Sequence, residues 1–351
     1  MAHGPLTVIG GVERHCHYVL DFLHDEGFQV DVFEPRPEGV SPFVRRYLRQ
    51  LVSYRTGAEL LDRREQYEFI FTISFAGGWL RGSNVWNISY GSVMSYYRHI
   101  KSAPHYNWKW HVGMGLTILL DKLSRSGKRC LTISRQVSDE LAKDYGASSI
   151  ALPCGIDTTH FSPRDGAEMR QSLGIAPQAF VGAFVGRWDP VHKGLDTLTR
   201  VMRERDDIHW LIATGGKPTL DGVKHLTIVP NIGYEEMPRF FSAADFSIQL
   251  SRYESFGFSF VESLACGVPA ISTPVGIVSE AYADDALRPL IMPLQASGQE
   301  KLGAAVHKAV EALRDRNYRR ELGARCREVA ERDFSLERWR ERMRTVLGIR
   351  R

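Results

Sequence analysis

Short apolar runs alternate with amphipathic stretches along nearly the whole chain of 351 residues, and this alternation constrains the fold more than any other feature. The runs are too short for buried helices and suit strands that are covered on both faces. Helical patterns between them predict right-handed crossovers and parallel sheets, and they exclude a β-sandwich or a helix bundle. The predicted strands cover residues 29–33, 69–74, 84–89, 129–133 and 150–153 in the first half, and 179–186, 208–213, 225–228, 246–250 and 269–273 in the second.

A polar segment at 158–178, which contains Pro and Gly, separates the two series of strands and marks a domain boundary. We therefore predict an α/β protein with two Rossmann-like, doubly wound parallel-sheet domains at 1–160 and 161–332, followed by a C-terminal helix at 333–351. Ligands of such sheets bind at the carboxyl ends of the strands, so we expect the two domains to face each other across a ligand-binding cleft.

Composition excludes several other classes of protein. Apolar residues make up 43% and charged residues 25% of the chain, as in ordinary globular proteins, so a disordered chain does not fit. The net charge of +4 is too small to predict a dedicated nucleic-acid binder. The five cysteines contain no C-x-x-C pair, which predicts neither a disulfide framework nor a zinc site. We expect no metal, no other cofactor and a cytoplasmic location.

The stretch 253–269 holds two glutamates, Glu254 and Glu262, with seven residues between them. The pattern predicts that Glu254 lies in a loop and Glu262 in the first turns of the following helix, with Ser255 as the helix cap. Backbone N–H groups at this helix start would form an anion site that suits a phosphate. The alternative is a glutamate that only complements the dipole at the start of a helix.

Two further stretches follow apolar runs. Arg187 and Lys193 lie in a loop where a guanidinium fork and a point charge could hold a diphosphate without a metal; ordinary surface cations are the alternative. Gly10 and Gly11 would let backbone N–H groups approach a phosphate or a sugar, although a simple tight turn gives the same pair.

These stretches, in this order, resemble retaining glycosyltransferases of the GT-B fold, and specifically the large glycosyltransferase family 4, also described as glycosyl transferases group 1. The resemblance covers nearly the whole chain, and its most specific part runs from Glu254 to Glu262. Other similar motifs are Gly10-Gly11-Val12-Glu13, Pro153-Cys-Gly-Ile-Asp157, Gly186-Arg187 with Lys193-Gly194, Asn231-Ile-Gly-Tyr234, Ala244-Asp245 and the closing Phe334-Ser-Leu-Glu-Arg-Trp339.

The resemblance implies a donor site in the C-terminal domain, an acceptor-binding N-terminal domain and a terminal helix that crosses back to the latter. Arg187, Lys193 and Glu254 would be the catalytic residues: the two cations would hold the donor diphosphate, and Glu254 would contact the transferred sugar. Glu262 would accept hydrogen bonds from the ribose hydroxyls. Further implied contacts are those of Gly10, Gly11, Phe256, Gly257 and Phe258 with the diphosphate, and of the backbone near Ile232 with the base.

The acceptor side departs from the family pattern, because Tyr90 stands where a sugar-contacting histidine is usual. We assign Ser89, Tyr90 and His111 to the acceptor or sugar side. Residues 91–130 carry seven Lys/Arg against one acid, mixed with aromatic residues, which suits an anionic or lipid-linked acceptor. A candidate helix after Ser41 has one apolar and one arginine-rich face, which is typical of an interfacial helix; an ordinary surface helix is the alternative.

We therefore expect a retaining, metal-independent glycosyltransferase of polysaccharide biosynthesis. It would move a hexose-type sugar from a nucleotide sugar, with UDP preferred to GDP, to a hydroxyl of a glycan, a lipid-linked precursor or a small acceptor. Peripheral contact with an anionic membrane, at its inner face, is a hypothesis, and no nucleic acid is expected. Two alternatives stay open: a sugar-nucleotide epimerase of the same fold, and a non-catalytic nucleotide-sugar-binding subunit of a glycosylation complex.

Overall fold

The computed structural model describes residues 10–33, 60–100, 108–189, 191–216, 218, 220–294 and 298–349. The chain divides into two compact units, Met1–Cys154 and Gly155–Arg351, a few residues before the boundary predicted at 160. Each unit contains one parallel sheet together with helices, so the predicted α/β class is confirmed. Within the described ranges, no helix is long and apolar enough to cross a bilayer.

The first unit has a sheet of order β1-β2-β3-β4, in which every pair is parallel. Its strands are β1 Ile70–Ile73, β2 Val85–Ser89, β3 Arg129–Thr132 and β4 Ile150–Ala151. Its helices are α1 Gly11–Asp25, a 3-10 helix Leu61–Gln66, α2 Val93–Ile100, α3 Trp108–Arg125 and α4 Arg135–Tyr145. Every residue of β2 is buried, as expected for a strand covered on both faces.

Three stretches of the first unit that the sequence singled out are not seen as helices or strands among the described residues. Residues 29–33, predicted as a strand, form no ladder with any other described residue. The apolar run before Gly10 and the candidate helix after Ser41 lie outside the described residues.

The second unit has a parallel sheet of order β7-β6-β5-β8-β9. Its strands are β5 Val181–Val185, β6 His209–Thr214, β7 Leu226–Pro230, β8 Phe246–Gln249 and β9 Ala270–Ser272. Its α-helices are α5 Ala167–Ser172, α6 Leu195–Glu204, α7 Met237–Ser242, α8 Phe258–Ala265, α9 Val278–Ala281, α10 Gln299–Ala312, α11 Arg316–Phe334 and α12 Leu336–Leu347. A short 3-10 helix covers Arg288–Leu290.

The winding of the second sheet creates a switch point. The chain moves outward from β5 to β6 and β7, and then continues on the other side of β5 with β8 and β9. The connections that leave the carboxyl ends of β5 and β8 therefore run in opposite directions along the sheet. Open parallel sheets bind their ligands at such a point.

The C-terminal helices pack within the second unit. The Ile156 N–H donates to the Phe334 carbonyl at 2.6 Å, and the Leu336 N–H donates to the Ile156 carbonyl at 3.0 Å. Trp339 on α12 is buried, and a Cβ on Gly155 would lie 2.9 Å from side-chain atoms of Leu336 and Trp339. The predicted passage of the terminal helix to the N-terminal domain stays a prediction.

Candidate functional site

Two loops of the second unit lie against each other at the switch point. One follows β5 and covers 186–194, and the other follows β8 and leads into α8. The Arg252 N–H donates to the His192 carbonyl at 2.7 Å, and the Arg252 guanidinium donates to the Val191 carbonyl at 3.2 Å. These bonds hold the two loops together beside the carboxyl ends of neighbouring strands.

An ion pair between Lys193 and Glu254 lies where the loops meet. Lys193 Nζ is 2.5 Å from Glu254 Oε1, and the Ser251 hydroxyl donates to the same oxygen at 2.9 Å. The lysine and glutamate side chains are only 16% and 17% exposed. The lysine side chain passes close to the start of its own loop, since a Cβ on Gly186 would lie 3.6 Å from Lys193 Cε. Two of the three predicted catalytic residues are therefore in direct contact.

Asp189 fixes the loop that carries Lys193. Its carboxylate accepts hydrogen bonds from the backbone N–H groups of Val191 at 2.9 Å and His192 at 3.2 Å, and from His192 Nδ1 at 2.7 Å. Burial pushes the pKa of Asp189 up, but the hydrogen bonds from His192 and Val191 outweigh burial and lower the pKa below its usual value. Sequence reasoning missed this residue, although an Asp before a Pro is a turn signal that points to it.

Arg187, the third predicted catalytic residue, lies in the same loop. Its side chain is exposed, and it forms no ion pair with the described residues. The loop therefore carries one lysine that is held by a carboxylate and one arginine that faces solvent.

The second loop ends at the start of α8. Gly257 is the N-cap residue, with φ 99° and ψ 64°, a left-handed conformation that favours glycine. The predicted cap, Ser255, is not the N-cap residue, because the turn at Gly257 starts the helix two residues later. The N-cap residue has no side chain, so the first backbone N–H groups and the helix dipole suit an anion. Glu262 lies on this helix, as the pattern predicted, and its side chain is buried.

Phe256 anchors the same loop to the rest of the unit. Its side chain is buried, and its carbonyl accepts the Ile277 N–H at 2.9 Å. Gly276 has φ 65° and packs directly against the Phe256 carbonyl, so a larger residue would push the loop away. Phe258 is the first residue of α8 and is half-buried.

The loops after β6 and β7 continue the same edge of the sheet. Ile232, predicted to lie near the base, is half-buried in the loop after β7. Asn231 has φ 51°, and its N–H donates to the Thr214 carbonyl at 3.3 Å. A Cβ on Gly216 would lie 3.6 Å from Trp188 Cβ, which brings the loops after β5 and β6 together.

In the first unit, Gly10 and Gly11 form the start of α1. Gly10 is the N-cap residue and Gly11 is the first helical residue. The Glu13 carboxylate lies over this helix start, where a Cβ on Gly10 would collide with Oε2. The carboxylate complements the helix dipole, and a phosphate at the same place would have to displace it.

Tyr90 pairs with His15, a residue that sequence reasoning did not single out. The Tyr90 hydroxyl is 2.6 Å from His15 Nδ1, and the two rings meet edge to face. Burial lowers the pKa of His15 to about 4. Burial, assisted by the nearby Cys16 and Cys154 thiols, raises the pKa of Tyr90 well above 10. Both groups are therefore neutral at pH 7, and the hydroxyl donates to the imidazole.

The other two residues assigned to the acceptor side have different surroundings. Ser89 is fully buried; its hydroxyl donates to Asn87 Oδ1 at 2.7 Å and accepts from Arg125 Nε at 3.1 Å. The Ser89 hydroxyl is therefore held by interior side chains, and its predicted acceptor contact stays a prediction. His111 is half-buried on α3, with its Nδ1 3.0 Å from the Tyr97 hydroxyl.

Comparison with known families identifies the class to which this fold and these motifs belong. Residues 9–160 match the family described as Glycosyltransferase Family 4, and residues 165–328 match Glycosyl transferases group 1. Together the two matches cover most of the chain, which belongs to these glycosyltransferase families, and the predicted family is confirmed.

Individual relatives agree with this assignment. The D-inositol 3-phosphate glycosyltransferase of Mycolicibacterium gilvum is 36% identical over 155 residues, which cover 40% of this chain and 35% of that protein. The chain thus spans about a third of the length of this curated relative.

Solved structures confirm the GT-B fold. Sucrose-phosphate synthase from Thermosynechococcus elongatus has a TM-score of 0.79 at 18% identity, over 99% of this chain and 97% of that chain. Anabaena HepE, solved in complex with UDP-glucose, has a TM-score of 0.66 at 14% identity, over 97% of this chain and 90% of that chain.

Proposed function

We propose that this protein is a retaining, metal-independent glycosyltransferase. It takes a hexose-type sugar from a nucleotide sugar, with UDP preferred to GDP, and transfers it to a hydroxyl of a glycan or a lipid-linked acceptor. The observation that carries the proposal is the ion pair between Lys193 and Glu254 in the loops at the switch point. Glu254 lies shortly before the first residue of α8 in the chain. A cation, a carboxylate and a helix N-terminus together suit a sugar linked to a diphosphate.

The chemistry follows from these charges. The bond between the sugar C1 and the phosphate oxygen breaks, and Lys193 and Arg187 stabilise the negative charge that develops on the diphosphate. The acceptor oxygen bonds to C1 on the same face, and its proton passes to the departing phosphate oxygen. Glu254, oriented by Ser251, holds the sugar hydroxyls, while Glu262 binds the ribose and the backbone near Ile232 faces the base.

The preference for UDP is supported by the structural likeness to Anabaena HepE, which was solved with UDP-glucose. For the acceptor, the basic and aromatic composition of residues 91–130 favours an anionic or lipid-linked glycan. The name of the Mycolicibacterium relative adds D-inositol 3-phosphate to the acceptors that a test should include.

Peripheral contact with an anionic membrane is part of the proposal. Helix α3 exposes Leu116, Leu119 and Leu123 at a spacing of three and four residues, and the exposed Lys122 lies on the same helix surface. An apolar stripe with basic neighbours suits the interface of an anionic bilayer. Sedimentation with anionic and with neutral liposomes tests this. We expect binding to anionic liposomes only, and its loss in Leu119→Asp; equal sedimentation of the variant and the wild type would remove the hypothesis.

A transfer assay tests the central reaction. UDP-glucose is incubated with the candidate acceptors in the presence of EDTA, and the anomeric configuration of the product is read by NMR. We expect an α-linked product, slow donor hydrolysis without acceptor, and a loss of about 100-fold in kcat for Glu254→Gln. Glu300→Gln, which changes an exposed glutamate of α10, is the matched control and should keep full activity.

Other outcomes of this assay would contradict the proposal. A β-linked product would exclude retention, and loss of activity in EDTA would exclude metal independence. Donor binding with neither transfer nor hydrolysis, unchanged by Glu254→Gln, would favour the non-catalytic nucleotide-sugar-binding subunit.

A further inference from the structure

A buried carboxamide lies beside the helix start of the candidate site. Gln249 is the last residue of β8 and is only 6% exposed. Its Oε1 accepts a hydrogen bond from the Ser259 hydroxyl at 3.3 Å. Its Nε2 is buried and has no hydrogen-bond partner among the described residues. A buried donor without a partner destabilises a fold, and its presence calls for an explanation.

The unpartnered nitrogen faces the N-terminal turn of α8. A Cβ on Gly257, the N-cap residue, would lie 3.4 Å from Gln249 Nε2. Alternation along β8 explains this position, because Ser247 and Gln249 lie on the same face of the strand. Ser247 contacts the Ser263 hydroxyl at 2.7 Å, and Gln249 contacts Ser259, one turn nearer the helix start. A polar seam between strand and helix therefore ends at Gly257.

We propose that Gln249 is a further donor-binding residue, whose Nε2–H donates to an oxygen of the distal phosphate held at the start of α8. This inference rests on the proposed function, which puts the donor diphosphate at that helix start. Gly257 has no side chain that would lie between the amide and a phosphate at this turn. The amide adds a directional hydrogen bond without adding charge to a site that already has Arg187 and Lys193.

The orphan amide also has a consequence for stability. If Nε2 binds a ligand, then replacing Gln249 with an apolar side chain of the same length removes an unpartnered buried donor. This change should raise the stability of the free protein and weaken ligand binding. A merely structural glutamine predicts the opposite pattern, in which substitution lowers stability and leaves binding unchanged. The two roles therefore predict changes in protein stability of opposite sign for the same substitution.

The test compares the wild type, Gln249→Met and the control Ser247→Ala, which alters the same seam away from Gly257. Calorimetric titration with UDP and with UMP separates the distal phosphate from the rest of the nucleotide. For Gln249→Met we expect about a tenfold higher Kd for UDP, an unchanged Kd for UMP, and a melting temperature raised by about 2 °C. Ser247→Ala should bind UDP as the wild type does.

A second variant keeps the test decisive if Gln249→Met folds poorly. Gln249→Glu preserves the size of the side chain but places a negative charge beside the phosphate, and should weaken UDP binding more than Gln249→Met does. Equal UDP affinity in the wild type and the variants, or an equal loss for UDP and UMP, would overturn the inference and leave the proposed function intact. A wild-type protein that binds no nucleoside diphosphate would overturn both.

Discussion

The Lys193–Glu254 ion pair should contribute measurably to the stability of the second unit. The charged atoms are 2.5 Å apart, and both side chains are more than four-fifths buried. At an effective dielectric constant of about 20, the Coulomb attraction at this distance is about 7 kcal/mol, but desolvation of both groups offsets most of it. Hydrogen bonds to charged groups contribute about 1.5–3 kcal/mol net, so we expect a coupling free energy of about 2 kcal/mol between the two side chains.

A double-mutant cycle measures this coupling. The free energy of opening is obtained by native-state hydrogen exchange on peptides from β5 and β8, for the wild type, Lys193→Met, Glu254→Gln and the double variant. Lys193→Met should cost the most, because it leaves the carboxylate with Ser251 but without a cation. Lys301→Met, at an exposed position of α10, is the control and should change nothing. A coupling below about 0.5 kcal/mol would refute the account of a desolvated, formed ion pair.

Three further predictions concern single residues. The pKa of His15 is about 4 in the folded chain and about 6.5 in the unfolded chain. The unfolded state therefore binds the proton first as the pH falls. The first unit should keep its full stability above pH 6.5 and lose about 3 kcal/mol of unfolding free energy between pH 6.5 and 4. Hydrogen exchange of α1 across this range should show the loss in the wild type and a flatter profile in His15→Gln; parallel profiles would contradict it. Gly257→Ala should lower the free energy of unfolding by about 1–2 kcal/mol and also weaken UDP binding. Gly298→Ala, at a similar φ of 101° outside the site, should lower stability and leave UDP binding unchanged. Unfolding and UDP titration of both variants check this, and equal effects on UDP binding would count against the site. Asp245→Asn should lower the free energy of urea unfolding by about 3 kcal/mol, because the Asp245 carboxylate accepts the Val181 N–H at 2.8 Å and pairs with two arginines at 2.9 Å. A decrease below about 1 kcal/mol would show that this network contributes little to stability.

The sequence predicted most strands because parallel strands covered on both faces must be short and apolar. The run predicted at 246–250 is β8 in the structure, and the run at 84–89 is β2. Residues 29–33 form no ladder with described residues, and the strand predicted there stays a prediction.

The part of the site that could be predicted from the sequence consists of charged residues in the loops that directly follow predicted strands. Glu254 and Lys193 were chosen for charge and for position after a strand, and the structure joins them. Ser255 has the higher N-cap propensity, yet Gly257 is the N-cap residue. The intervening Phe256 is still part of the loop, where its carbonyl accepts the Ile277 N–H. Such an anchor depends on a segment about twenty residues away along the chain, which local propensity does not see.

Residues that act through packing were not predictable from the sequence. Gln249 reads as one position of an apolar strand, and only the packing of α8 on β8 reveals its unpartnered amide. His15 and Tyr90 are 75 residues apart in the chain, and their hydrogen bond depends on how α1 packs near the end of β2. Ser89 was assigned to the acceptor side from the sequence, which does not show that its hydroxyl is buried beside Arg125.

Binding of a nucleotide-sugar diphosphate by the switch-point loops of the second unit underlies the whole proposed function. Calorimetric titration of the wild type with UDP, GDP and ADP tests it most directly, beside Arg187→Ala, Lys193→Ala and the control Arg320→Ala at an exposed position of α11. We expect UDP to bind most tightly, each loop variant to raise the Kd for UDP at least about tenfold, and the control to leave it unchanged. Binding of none of the three nucleotides, or binding that both loop variants leave intact, would contradict the claim.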